Sequence, residues 1–190
     1  LDLLFCPDCT LVQIRQTVTP EILFCEDYPY FSSVSPALGA HSLANANELI
    51  RERNLDANSR VIEVASNDGY MLRHFSSRGL PVQGIDPAAG PVAAARANGI
   101  PTLQKFFSLE LAQELSADGI TADLLIANNV LAHVKDLNGF VAGLKQLLKV
   151  NGLLVIEVPW VCDLVDGLEF DTIYHQHLCS FSGTALIALF

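Results

Sequence analysis

The sequence predicts an α/β protein built on a doubly wound, largely parallel sheet, and three observations carry that reading. Short apolar runs alternate with segments of helical period from Val61 to Val158, the rhythm that yields a parallel sheet with helices on both faces. Within that region, Val61 to Phe75 (VIEVASNDGYMLRHF) passes from an apolar strand through the turn Ser66-Asn67-Asp68-Gly69 into a helix carrying Met71, Leu72 and Phe75. The hydrophobic content of 51% fits strands covered on both sides.

Taken in order, the chain opens with two alternating apolar segments, Leu1 to Ile14, flanking Cys6-Pro7-Asp8-Cys9. A tetrahedral zinc site takes four soft ligands, commonly as two Cys-x-x-Cys turns, so Cys6 and Cys9 read as half a zinc site whose other ligands lie upstream. The competing reading is a redox pair, but such a pair is expected to open a helix, whereas Thr10 to Ile14 reads as a strand. Cys25 lacks a paired partner and reads as a packed thiol. Thr19-Pro20-Glu21 starts a short helix with Thr19 as cap. The polar, aromatic stretch from Glu26 to Ser35 places Tyr28, Tyr30, Ser32 and Ser33 either against a ligand or against the main domain. Ser35-Pro36 starts a helix that continues to about Arg53.

Past the first strand and its turn, a second strand from Val82 to Asp86 is expected, then a helix from Pro91 to Asn98 closed by Gly99. A strand from Pro101 to Lys105 and a helix from Leu109 to Leu115 behind Ser108 come next. The apolar run from Ala122 to Ala127 forms another strand and delivers Asn128 and Asn129 to its C-terminal end, where ligands bind in open α/β sheets. His133, in the turn beyond, reads as a structural hydrogen-bonder. A helix from Asp136 to Lys149, stopped by Asn151-Gly152, leads to a last strand from Leu153 to Val158. Three regions result: residues 1–35 as a partial zinc-binding module and linker, 36–160 as the main domain, and 161–190 as a segment entering a further domain.

At 190 residues the chain is long enough for one real core plus a small module. Its formal net charge is −10, from 21 acidic and 11 basic residues, a sign that repels phosphate backbones and argues against nucleic acid. Glu157, Pro159 and Asp163 interrupt the most apolar region, so no run reaches the roughly 18 to 20 residues that cross a bilayer. Five cysteines without a secretory signal indicate a reducing compartment, hence a cytoplasmic protein; a monomer is expected. The start Leu1-Asp2-Leu3, without Met, and the apolar end Ala185 to Phe190 are those of a piece of a longer protein.

The chemistry concentrates at the turn after the first strand. Asp86 follows that turn by about 20 residues at the tip of the second strand, where a carboxylate can accept hydrogen bonds from both ribose hydroxyls of an adenosine ligand. The turn resembles that of S-adenosylmethionine-dependent methyltransferases, which carry acidic-x-Gly-x-Gly-x-Gly; here Glu63 is followed by Ala65, Asn67 and Gly69. Ala65 is small enough for close backbone approach, and Asn visits positive φ more readily than most residues.

Further segments narrow the resemblance. Phe170-Asp171-Thr172-Ile173-Tyr174-His175-Gln176-His177 is similar to the FDTIYHEH motif of sugar C-methyltransferases, which act on nucleotide-linked 4-keto deoxysugars. That family's segments appear in order as Cys6 to Gln13, Tyr28 to Ser35, Ala65 to Gly69, Ala127 to His133 and Tyr174 to His177. The resemblance implies a class I methyltransferase fold of Rossmann type, preceded by part of a zinc-binding module, with S-adenosylmethionine and zinc as cofactors. It implies His177 as the base that removes the proton next to the ketone, with Tyr174 and Tyr28 as catalytic partners. Tyr30, Ser33, Gln176 and Asn129 would hold the nucleotide-linked sugar, and Ser66, Asn67, Asp68, Gly69, Asp86 and Asn128 the cofactor. Gln176 replaces the family's Glu, and an amide can bind a hydroxyl but cannot take a proton. His175 and His177 would share a face if their segment were extended, so the choice of His177 rests on the motif. The alternatives are a methyltransferase for another small acceptor and a cofactor-binding module without turnover.

Overall fold

A computed structural model describes residues 1–24 and 28–190; Cys25, Glu26 and Asp27, with the reading of Cys25 as a packed thiol, fall outside the described residues. The centre is a five-stranded parallel sheet. Its strands are β3 (Val61–Val64), β4 (Val82–Asp86), β5 (Thr102–Gln104), β6 (Ala122–Asn128) and β7 (Leu148–Glu157), in spatial order β5-β4-β3-β6-β7. Chain order reverses at β3, so the crevice between the C-terminal ends of β3 and β6 is the topological switch point of a doubly wound sheet.

Side-chain alternation along the strands builds two cores. Ile62, Val64, Leu125 and Ala127 pack against α5 (Leu109–Ala117) and α6 (Leu137–Leu147). Val61, Leu124 and Ile126 face α2 (Pro36–Arg53), α3 (Leu72–Ser76) and α4 (Ala89–Ala97). The caps expected at Ser35 and Ser108 form, accepting from the amides of Leu38 and Leu111; Asp136, expected as the first helical residue, is instead the cap of α6 and accepts from the amide of Gly139. Thr19 takes the N-cap position of α1 (Pro20–Leu23), but its side chain makes no capping bond.

Two boundaries differ from the sequence pattern. Helix α4 starts at Ala89, ahead of Pro91, because proline is tolerated anywhere in a first turn, whose amides lack intrahelical acceptors. Helix α6 stops at Leu147, and Leu148 already pairs with Ala122. Asn151-Gly152 is therefore a bulge inside β7 rather than a helix stop: the register jumps between Ala122 and Leu124, and a Cβ on Gly152 would come within 2.9 Å of the Ala122 carbonyl oxygen.

A second sheet of three strands joins β1 (Leu3–Phe5) and β2 (Val12–Ile14) to β8 (Cys179–Ser180) in the order β1-β2-β8, all antiparallel. Cys6 and Cys9 lie in the turn of the β1–β2 hairpin. The beginning and end of the chain thus share one sheet, although the sequence pattern separates residues 1–35 from 161–190. Leu178 extends the link on both sides: its amide donates to Ala132 at 2.8 Å and its carbonyl accepts from Ile14 at 3.0 Å. Between β7 and β8 lie α7 (Val161–Asp166) and a 3-10 turn at Phe170–Thr172; α8 (Gly183–Leu189) ends the chain. Among the described residues, no helix is long and apolar enough to cross a membrane.

Candidate active site

A cavity of about 920 Å3 lies over the C-terminal ends of the central strands, where a doubly wound sheet places its ligands. One side is built by the turn after β3. Ala65 and Asn67 both adopt left-handed conformations, φ +58° and +50°, which turn the chain sharply where it lines the cavity. The amides of Ala65 and Ser66 donate to Ile85, at 2.8 and 3.2 Å, and lock the turn to β4. Asp86, buried at the tip of β4, accepts from the amide of Asn67 through Oδ2 and from that of Ala88 through Oδ1, each at 2.9 Å. Each carboxylate oxygen keeps a further lone pair toward the cavity. Burial raises the Asp86 pKa, and these two amides oppose the rise.

Below the turn sits an acidic layer. Glu63 is fully buried, and desolvation first, then the charges of Asp86 and Asp68, push its pKa well up, which favours its neutral form. Asn128, at the end of β6, lines the cavity and has a buried Oδ1 without a hydrogen-bond partner among the described residues. A buried acceptor in that state fits a ligand donor. An acid at the second strand tip, an open turn and this orphaned acceptor together suit an adenosine-type cofactor carrying an amino group.

The opposite wall is aromatic. The ring of His177 lies 4.3 Å from that of Tyr174 and 5.2 Å from that of His133, centre to centre. His177 Nδ1 donates to the Thr172 carbonyl at 2.8 Å, and Nε2 lies 3.2 Å from the Tyr174 hydroxyl. Nδ1 donating to a carbonyl fixes the tautomer and leaves Nε2 as an acceptor. His133 donates through Nδ1 to the Gln176 carbonyl at 2.6 Å, the kind of structural hydrogen bond read from its sequence, and burial lowers its pKa. Residues 174–177 form a turn, with the His177 amide bonded to the Tyr174 carbonyl at 3.0 Å. The two histidines therefore do not share a face: His177 lines the cavity, and His175 is exposed outside it. Tyr28 and Tyr30 close the wall with ring centres 6.5 Å apart. Burial, then Asp86, pushes the Tyr28 phenol up to about 12, which keeps it a proton donor.

Of the residues singled out by sequence, Tyr28, Tyr30, Asn67, Asp86, Asn128, Asn129, Tyr174, Gln176 and His177 line this one cavity. Ser33, Ser66, Asp68 and Gly69 do not. Ser33 is exposed while its neighbour Ser32 reaches the wall, because a 3-10 turn at Ser32–Val34 directs the two side chains apart. Ser66 is buried beneath the turn against Gly84. Gly69, at φ +78°, admits close packing of Ile100, whose side chain would lie 3.0 Å from an added Cβ. Asn129 donates one amide hydrogen to Glu157 Oε1 at 2.6 Å, which leaves its oxygen and its second amide hydrogen for a ligand. Tyr70 lines the wall unheralded, since its place in the helix pattern matched any core aromatic.

At the β1–β2 turn, backbone amides of Cys9 and Asp8 direct hydrogen bonds to the Cys6 thiol and lower its pKa, as a thiolate ligand requires. Among the described residues, no cluster of three or more His, Cys, Asp or Glu could hold a metal.

Comparison with known proteins agrees with this geometry. The chain is 30% identical over its whole length to the C-methyltransferase NovU of Streptomyces niveus and covers 45% of that protein; it spans less than half the length of the curated relatives it matches. Its fold is that of a SAM-dependent methyltransferase from Archaeoglobus fulgidus, at a TM-score of 0.62 and 15% identity over 78% of this chain and 66% of the other. The sugar N-methyltransferase KedS8 from Streptoalloteichus aligns at a TM-score of 0.50 and 21% identity, over 64% of this chain and 49% of its own. The profile of the methyltransferase-domain family matches residues 40–190, the whole central sheet and the tail with His177, and the chain belongs to that family.

Proposed function

We propose that the protein of which this chain is part is an S-adenosylmethionine-dependent C-methyltransferase acting on a nucleotide-linked 4-keto deoxysugar at the carbon beside the ketone. One observation carries the reading: the His177 Nε2 acceptor, set by Thr172 and Tyr174, lines the same cavity as Asp86 and Asn128. Similarity along the whole of this chain to part of a C-methyltransferase supports transfer to carbon. Similarity of fold to a sugar N-methyltransferase makes a sugar acceptor compatible with this scaffold.

Asp86 would hold the ribose hydroxyls, and Asn128 Oδ1 the amino group, of the cofactor. When bound, S-adenosylmethionine supplies an electrophilic methyl group at the switch point. His177 Nε2 takes the α-proton; the C–H electron pair becomes the enolate double bond, and the ketone oxygen gains the negative charge. Tyr174, whose pKa burial raises, turns its neutral hydroxyl from Nε2 to that oxygen, and Tyr28 offers a second phenol donor. Gln176 contributes its carbonyl to His133 and presents an amide, not a base, to the sugar. Cys6 and Cys9 supply half a structural zinc site at the far end of the β1–β2 hairpin.

Incubating the complete enzyme with S-adenosylmethionine and either keto-sugar nucleotides or small phenols tests the assignment. Methyl transfer to carbon of the keto sugar alone supports it. Methylation of the phenols alone, or cofactor binding with no transfer to any acceptor, contradicts it.

A further inference from the structure

The side chain of Asn67 faces away from the cofactor turn it belongs to. Its Oδ1 accepts from the amide of Ser32 at 2.8 Å, and its Nδ2 donates to the carbonyl of Tyr30 at 3.1 Å. The next residue repeats the contact: Asp68 Oδ2 accepts from the amide of Ser33 at 3.2 Å. Both ends of one buried carboxamide are thus used on the backbone on either side of Phe31. The 3-10 turn at Ser32–Val34 has no side-chain cap of its own, Phe31 being its N-cap residue, so Asn67 and Asp68 of the turn after β3 cap it.

The energetics are those of a working side chain. At φ +50°, glycine would adopt this conformation more cheaply than asparagine, so the asparagine must return that cost through its side chain. At the same time the Asn67 amide donates to Asp86 Oδ2. One residue therefore touches the acid on the cofactor side through its backbone and the tyrosine arm on the other side through its side chain.

We propose that Asn67 is a positioning residue that clamps the Tyr28–Tyr30 arm over the cavity and so sets the acceptor half of the site without contacting the acceptor. The assignment of that half to an acceptor rests on the function proposed above; the clamp itself does not. Two variants separate the clamp from the turn. Asn67→Gly removes the carboxamide at a φ that glycine favours. Ser32→Pro removes the partner amide without touching the turn, and its predecessor Phe31, at φ −123° and ψ 119°, already has the backbone that a following proline demands.

Amide hydrogen exchange on this chain reads the clamp directly. In Asn67→Gly, protection of residues 30–34 should fall about tenfold or more while β3 and β4 keep theirs. In the complete enzyme, both variants should raise the acceptor KM about tenfold, and Ser32→Pro, which leaves the cofactor turn intact, should keep kcat and cofactor Kd within about threefold of wild type. Wild-type protection of residues 30–34 in Asn67→Gly would overturn the clamp. A loss confined to cofactor Kd, or a normal acceptor KM in Ser32→Pro, would overturn its positioning role. If the complete enzyme methylates no keto sugar, the acceptor assignment fails while the exchange result still decides the clamp.

Discussion

The Nδ1 of His177 lies 2.8 Å from the carbonyl oxygen of Thr172, so the ring carries its proton there and keeps an Nε2 lone pair for the cavity. The Tyr174 hydroxyl donates to that lone pair in the absence of an acceptor. Tyr174→Phe should leave the tautomer intact, because Thr172 sets it, and lower kcat roughly tenfold through loss of one hydrogen bond to the developing enolate. Steady-state kinetics with an unchanged cofactor Kd would bear this out; a selective loss of cofactor binding would not.

Asp86 is held by two backbone amides and keeps lone pairs free. Asp86→Ala should weaken S-adenosylmethionine binding by about 1.5 to 3 kcal/mol, the scale of hydrogen bonds to a charged group. Calorimetry returning wild-type affinity would remove Asp86 from the cofactor site.

Glu63 gives the fold a pH dependence of definite sign. Its folded pKa is raised by burial, Asp86 and Asp68, so the stabilising contribution of the protonated form is complete below the ordinary carboxylate range. It is lost as pH rises through the raised folded value. Glu63→Gln keeps the shape and cannot ionise. In urea unfolding, the variant should gain on wild type progressively as pH rises; a gap independent of pH would show that Glu63 does not titrate with folding.

The Cys6–Cys9 turn predicts weak metal binding in this chain. Two thiolates leave half a tetrahedral site to water, so zinc should leave readily on dialysis. Stoichiometric zinc that survives dialysis and is lost on Cys6→Ser would reveal further ligands.

Local physics made most of the fold legible in the sequence. Ser35 and Ser108 cap helices because a short acceptor before an apolar period has few other uses, and the distance of Asp86 from the turn places it at the strand tip that lines the cavity. The misses come from contacts between distant segments. Asn151-Gly152 looks like a helix stop until β6 pairs with Leu148. Gly69 reads as a cofactor glycine from its motif, and its contact with Ile100 forms only in the folded chain. Sequence explains Asn67 by its φ alone; its partners at Tyr30 and Ser32 lie 37 and 35 residues away. For the site, nine residues of one cavity were readable from motifs, but the exclusion of His175 needed the turn at residues 174–177, which no periodicity announces.

The central claim is that His177 Nε2 removes the α-proton of a keto sugar, and exchange of that proton with deuterated water measures the step without methyl transfer. In the complete enzyme, His177→Ala should abolish both exchange and methylation while cofactor affinity stays close to wild type, and His175→Ala should retain exchange. Wild-type exchange in His177→Ala would contradict the account and move the base to Tyr174 or Tyr28.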